Sequence, residues 1–179
     1  CLVYGGITGE EIVKYLRSEP ELRNLPMDQV DQEINRLYVD YLQKNGKENF
    51  YAIKDELRAL MDQHAGVFRT GKSLKEGLDK IMVLKERFKG IYVTDKNYVY
   101  NTNLMNALET ENLLDLAEVL VTAGLAREES RGAHARTDFP VRDDDNWLKH
   151  TLASYSESGP KLDYKPVVIT KWKPVERTY

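Results

Sequence analysis

The chain has 179 residues, enough for one domain with a real core, and a net charge of −3, which argues against nucleic acid as its main partner. Charged residues make up 31% and hydrophobic ones 41%, an ordinary balance for a soluble, helix-rich protein, and no apolar run reaches membrane-spanning length. The single cysteine, Cys1, excludes an internal disulfide and a cysteine-rich metal site, and fits a reducing compartment.

No secretory signal is visible, and the chain opens on Cys1 rather than Met, directly in an apolar run. It reads as a piece of a longer protein. Leu2, Val3 and Tyr4 precede Gly5-Gly6 and form either the end of a helix or a short buried run. Thr8 and Glu11 have the spacing of a capping box, with Ile12, Val13 and Leu16 as a short apolar face behind it. Residues 20–26, bounded by prolines, read as a connector.

Helical periodicity then dominates. A helix is expected over residues 28–45, with Val30, Ile34, Leu37, Tyr38 and Tyr41 on one stripe and Asn45-Gly46 as its stop. A second covers residues 48–65, with Phe50, Ile53, Leu57, Leu60, Met61 and His64 inward. A third covers 73–89, with Leu74, Leu78, Ile81, Met82 and Phe88 inward, Ser73 and Glu76 as its capping box, and Gly77 as a mild weakness. Residues 91–100 read as an irregular connector. The fourth and most apolar helix covers 101–125 and carries Leu104, Leu108, Leu113, Leu114, Ala117, Leu120 and Val121, with Gly124 where it should end. Short connectors between amphipathic helices favour antiparallel neighbours. The fold class is therefore mainly α: an antiparallel three-helix bundle of the spectrin-repeat kind with a preceding short helix.

Residues 127–150 break this pattern. They are densely polar, with charges of both signs, yet they hold Phe139, Pro140 and Trp147 and two of the three histidines. A disordered charge run usually lacks aromatics and carries one sign, so this segment reads as an irregular but ordered joint. After it, residues 151–155 and 162–169 are β-prone and flank the turn residues Glu157-Ser158-Gly159-Pro160. A β-hairpin is expected, with Pro166 marking an edge. An extended C-terminal tail follows, anchored if Trp172 and Tyr179 find cover.

Gly66-Val67-Phe68-Arg69-Thr70-Gly71-Lys72-Ser73 satisfies the spacing of a phosphate-binding P-loop. That chemistry needs a buried strand just before the loop, whereas the preceding segment has helical period and carries Lys54, Asp55, Glu56, Arg58 and Asp62. We read the pattern as a helix end followed by a helix cap. His134, with Arg131 and Arg136, could form an anion site. The better reading is a hydrogen-bonded histidine holding irregular backbone in place. No other histidine or cysteine stands at metal-ligand spacing from His134 or His150. Asp143, Asp144 and Asp145 fit ion pairing or capping of a short helix at Trp147. The candidate docking or structural residues are Arg131, His134, Arg136, Asp143, Asp144, Trp147 and His150, and no residue reads as catalytic, cofactor-binding or metal-binding.

The run Glu129-Ser130-Arg131-Gly132-Ala133-His134-Ala135-Arg136, followed by Asp138-Phe139-Pro140, Arg142-Asp143-Asp144 and Trp147-Leu148-Lys149-His150-Thr151-Leu152, resembles the C-terminal region of the flavoprotein subunit of succinate dehydrogenase and fumarate reductase. Gly66-Val67-Phe68-Arg69, the segment Leu108-Glu109-Thr110-Glu111-Asn112-Leu113-Leu114 and the ending Arg177-Thr178-Tyr179 are also similar to family segments. Cys1-Leu2-Val3-Tyr4-Gly5 looks like the residues just after the family's flavin-contacting Asn-Ser-Leu-Leu turn. The likeness spans essentially the whole chain. L-Aspartate oxidase is similar in the Ser-Arg-Gly part, but the Ala-His-Ala-Arg and Trp-Leu-Lys-His runs and the long ending fit the succinate/fumarate group better.

The resemblance implies a full-length FAD-dependent enzyme that interconverts succinate and fumarate and passes electrons to an iron–sulfur subunit. Membrane anchor subunits would connect indirectly, on the cytoplasmic face of a prokaryotic inner membrane. The family's flavin-linking and catalytic residues lie before the region matched, so FAD belongs to the full-length subunit and the chain here holds none of its machinery. Residues 1–27 would end the flavin-binding domain and its connector, 28–126 would form the helical domain, and 127–179 the joint, hairpin and tail. The expected partners are the flavin-binding and capping domains of the same subunit and the iron–sulfur subunit, and the expected role is assembly.

Overall fold

The computed structural model describes residues 1–21 and 24–175. Among these the architecture is mainly helical, with six helices, a C-terminal antiparallel hairpin and a two-residue parallel pair. The chain divides into two units, Cys1–Val39 and Asp40–Tyr179.

In the first unit, α1 spans Leu2–Arg17 and α2 spans Met27–Asn35, and neither buries a residue. The expected capping box at Thr8 is absent, because α1 starts six residues earlier and runs straight through Gly5, Gly6 and Gly9. Its apolar side chains Ile12, Val13 and Leu16 are exposed. The helix expected to reach Asn45 instead passes from α2 into a π-helical turn, Arg36–Tyr41, and stops there.

The second unit holds the core. Helices α3 (Phe50–Ala65), α4 (Gly71–Phe88) and α5 (Thr102–Ala126) each pack against the other two. Their starts are set by side-chain caps. Asn49 accepts from the Tyr51 amide, Thr70 from the Ser73 amide and Asn101 from the Leu104 amide, each satisfying an end N–H that the helix leaves free. Ser73 is therefore not the cap of α4. The first turn extends back to Thr70, and the Ser73 hydroxyl donates to the His64 carbonyl.

Phe50, Ile53, Leu57, Leu60, Leu74, Ile81, Leu84, Phe88, Leu104, Leu114 and Val121 fill the core. Met82, Leu113 and Leu120, placed inward by periodicity, are exposed instead. Gly77 is a packing requirement rather than a weakness. An added Cβ would lie 2.8 Å from the His64 Cβ, so α3 and α4 meet this closely only because position 77 has no side chain.

The connector after α4 is held rather than loose. Residues 44–48 and 90–93 form a clasp of backbone hydrogen bonds that buries Ile91 and Val93. Downstream, β1 (Phe68–Arg69) pairs in parallel with β2 (Ala135–Arg136), α6 is the short turn Asp144–Trp147, and β3 (Lys149–Ser154) pairs antiparallel with β4 (Lys161–Pro166). The hairpin begins two residues earlier than expected, and Pro166 ends its strand opposite Lys149. Trp172 is 78% exposed, so it does not anchor the tail, while Tyr179 lies outside the described residues.

Candidate functional site

The segment between α5 and the hairpin is irregular backbone organised by side chains. Its centre is Glu129, whose side chain is fully buried between Arg127 and Arg131. Arg127 and Arg131, two residues to either side, close around it from both directions. Glu129 Oε1 accepts from both arginines, and Oε2 accepts from Arg131 Nη2 at 3.0 Å and the Asp143 amide at 3.0 Å. Burial alone would raise this carboxyl, but the hydrogen bonds from Arg131, the Asp143 amide and Arg127 win and hold it below its ordinary value.

From this centre the network extends outward. Arg131 also reaches Asp144 at 2.6 Å, and Asp144 pairs with Arg142 at 2.9 Å. Asp143 caps α6 by accepting from the Asn146 amide. Arg127 donates to the carbonyls of Trp147 and Lys149 and to the Thr151 hydroxyl, which ties α6 and β3 to the end of α5. Trp147 sits under the Arg127 guanidinium and the Lys149 ammonium and meets Tyr164 edge-on at 5.7 Å.

A second cluster bridges two helix ends. Arg136 is 2% exposed. Its Nη1 donates to the carbonyls of Gly124, Leu125 and Arg127, at and just beyond the end of α5. Its Nε and Nη2 hold Asp138 in a two-point pair at 2.7 and 2.8 Å. Asp138 in turn accepts from the Gly71 amide at 2.7 Å, at the start of α4. A cation thus meets the negative end of one helix dipole and an anion the positive end of another. The Arg136 guanidinium holds the Asp138 carboxyl far below the carboxylate range. This pairing also bears on the P-loop pattern. Helix α3 precedes the loop, Lys72 is solvent-exposed, and a protein carboxylate occupies the amide that opens α4.

His134 belongs to this cluster. Its Nε2 faces the Arg127 carbonyl at 3.1 Å and its Nδ1 faces Arg69 Nη1 at 3.2 Å. A guanidinium only donates, so Nδ1 must accept and Nε2 must carry the proton, which makes the ring neutral. Burial lowers its basicity. The bond to the Arg127 carbonyl opposes that shift, and the charges of Arg69, Arg136 and Arg127 add to it. Because the folded value is depressed below the ordinary 6.5, His134 contributes stability above that pH and loses it as pH falls toward the folded value. The unfolding midpoint of the chain should therefore fall between pH 7.5 and pH 5.5, and His134→Gln should flatten that slope. An equal slope in both would show that His134 is not the titrating group.

The structure thus joins Arg131, Asp143, Asp144 and Trp147 into one network, and places His134 and Arg136 in a neighbouring cluster that shares the Arg127 main chain. His150 stands apart, exposed on β3 opposite Lys165. Sequence reasoning missed Arg127, Glu129, Arg69 and Asp138. The alternation of charge at 127, 129 and 131 was the available signal for the first two. Nothing in the sequence signals that Arg69, 65 residues away, reaches His134.

A family profile described as "Fumarate reductase flavoprotein C-term" matches residues 54–179. The fumarate reductase flavoprotein subunit of Haemophilus influenzae is 38% identical over 99% of this chain and 30% of its own length. The succinate dehydrogenase flavoprotein subunit of Rickettsia conorii is 37% identical over 99% of this chain and 31% of its own. Among solved structures, the FrdA chain of E. coli quinol fumarate reductase superposes with a TM-score of 0.88 at 33% identity, covering 97% of this chain and 30% of that one. The chain therefore spans about a third of the length of these relatives. On sequence and fold together, it belongs to the succinate dehydrogenase and fumarate reductase flavoprotein family, as the C-terminal domain of such a subunit.

Proposed function

We propose that the joint at residues 127–150 is an assembly element. It holds the C-terminal domain in one fixed shape, so that the subunit can dock its flavin-binding and capping domains and an iron–sulfur partner. The observation that carries this reading is the internal commitment of the joint's charges. Arg127, Arg131 and Arg136 spend their donors on Glu129, Asp144, Asp138 and main-chain carbonyls. Groups tied up in this way suit a rigid scaffold rather than proton or hydride transfer. The relatives support the wider setting, since they are flavoprotein subunits, and one similar solved structure is a quinol–fumarate reductase with menaquinol molecules.

In this proposal the full-length subunit interconverts succinate and fumarate with FAD and delivers electrons to an iron–sulfur subunit at a membrane surface. Residues 1–27 complete the flavin-binding part, 28–126 form the helical domain, and 127–179 join and seal it. The joint, including Arg131, His134, Arg136, Asp143, Asp144 and Trp147, acts through position rather than chemistry. The test replaces Arg131 and His134 together by alanine in the full-length subunit. Recovery of the iron–sulfur subunit in the purified complex should drop severalfold, with flavin content and dye-linked turnover per assembled complex retained. Intact assembly with collapsed turnover would assign the joint to catalysis instead.

A further inference from the structure

Asn45-Gly46 lies outside the joint and outside the assembly reading. Asparagine followed by glycine is the pair in which the next residue's amide nitrogen most readily reaches the asparagine side-chain carbonyl, because glycine has no Cβ to obstruct the approach. Asn45 is exposed, and no hydrogen bond among the described residues holds its side-chain amide. The fold cannot remove the hazard by changing Gly46, since a Cβ there would overlap the Gly90 carbonyl.

What the fold does is engage the nucleophile. The Gly46 N–H donates to the Ile91 carbonyl at 3.0 Å, inside the clasp where Asn45 lies opposite Tyr92. Lys47 and Glu48 both donate to the Gly90 carbonyl, Tyr92 donates to Glu48, and Val93 donates to Lys44. Lys96 Nζ locks the same strand by donating to the Leu42 carbonyl at 2.6 Å and the Lys44 carbonyl at 3.1 Å. Released from Ile91, the Gly46 nitrogen would be free to react.

We propose that Asn45 is a deamidation site gated by this clasp. On opening, the Gly46 nitrogen gives up its proton to water and bonds to Asn45 Cγ. The Cγ–Nδ2 bond breaks and ammonia leaves, which closes a succinimide ring. Water then opens the ring at either carbonyl, leaving aspartate or isoaspartate at position 45. No oxidant or cofactor takes part. Isoaspartate adds a side-chain carbon to the main chain, so the register between Gly46 and Ile91 cannot be restored. An opening that was reversible becomes permanent and is recorded covalently.

The experiment incubates the native subunit containing this chain at mildly alkaline pH and measures isoaspartate at position 45 by peptide mass spectrometry, beside the same protein in urea. Reaction in urea should be at least about tenfold faster than in the folded protein, since a protected amide reacts only through local opening. Lys96→Met removes the lock without touching the core and should raise the folded rate severalfold, leaving the rate in urea unchanged. Equal folded and unfolded rates in the wild type would overturn the gate. Absence of product at position 45 in urea would overturn the site. An unchanged folded rate in Lys96→Met would remove the clasp from the account.

Discussion

Replacing Glu129 by alanine is expected to cost the joint about 3–5 kcal/mol, because removing one member of a buried ion cluster strands the charges that remain. Arg127 and Arg131 would face each other across the vacated position with side chains only 14% and 28% exposed. The Asp143 amide would lose its acceptor as well, so α6 would loosen from the end of α5. The measurement is hydrogen exchange in the intact subunit, read at the amides of Ser130, His134 and Asp143, all hydrogen-bonded in the folded chain. Protection at all three should collapse together while that of α3 and α4 survives. Glu129→Gln separates shape from charge: it keeps the volume and should lose less. Unchanged protection in Glu129→Ala would show that main-chain packing, not Glu129, holds the joint.

The second large effect is expected at Arg136. Arg136→Met keeps the apolar stem but takes this donor from the Gly124 and Leu125 carbonyls, leaves the Arg127 carbonyl with His134 Nε2 alone, and leaves Asp138 without its cation. A cost of about 3 kcal/mol follows, toward the lower end of the range for a broken buried pair because Asp138 is 35% exposed. Arg136→Lys should recover little of it, since one ammonium cannot reproduce a fork that serves a carboxylate on one side and carbonyls on the other. A second readout distinguishes this from simple loss of packing. Without Arg136, the Asp138 carboxyl should titrate back toward the ordinary carboxylate range in an NMR titration. If stability fell with Asp138 still strongly acidic, the Gly71 amide would be its main support.

Much of this was legible from periodicity. The stripes through Phe50, Ile53, Leu57, Leu60 and through Leu104, Leu114, Val121 recur in the structure as the core, because burial on one side of a helix leaves a 3.6-residue signature. Helix starts were harder to read. Ser73 has a capping side chain and a glutamate three residues on, yet Thr70, one turn earlier, is the cap, and the Ser73 hydroxyl goes to the His64 carbonyl instead. The same contact explains Gly77, whose role is invisible until the opposing helix is in place. The joint was recognisable as ordered, but its centre was not. Glu129 reads as one more charge among many until Arg127 and Arg131 close around it, and Asp138 gains its meaning from Gly71, distant in sequence.

The parallel pairing of β1 with β2 bears on the order in which the domain should assemble. Gly71 and Asp138, joined beside that pair, are 67 residues apart, and the loop between them contains all of α4 and α5. Closing so long a loop before its contents are ordered would sacrifice chain entropy for two residues of strand. The helical hairpin of α4 and α5 is therefore expected to form first and shorten the search, with the joint docking onto it afterwards. Interactions made after the rate-limiting step leave the folding rate alone and slow only the return journey. On that order the arginine–carboxylate lattice would act as a kinetic bolt: Glu129→Ala and Arg136→Met should speed unfolding and leave the folding rate nearly unchanged.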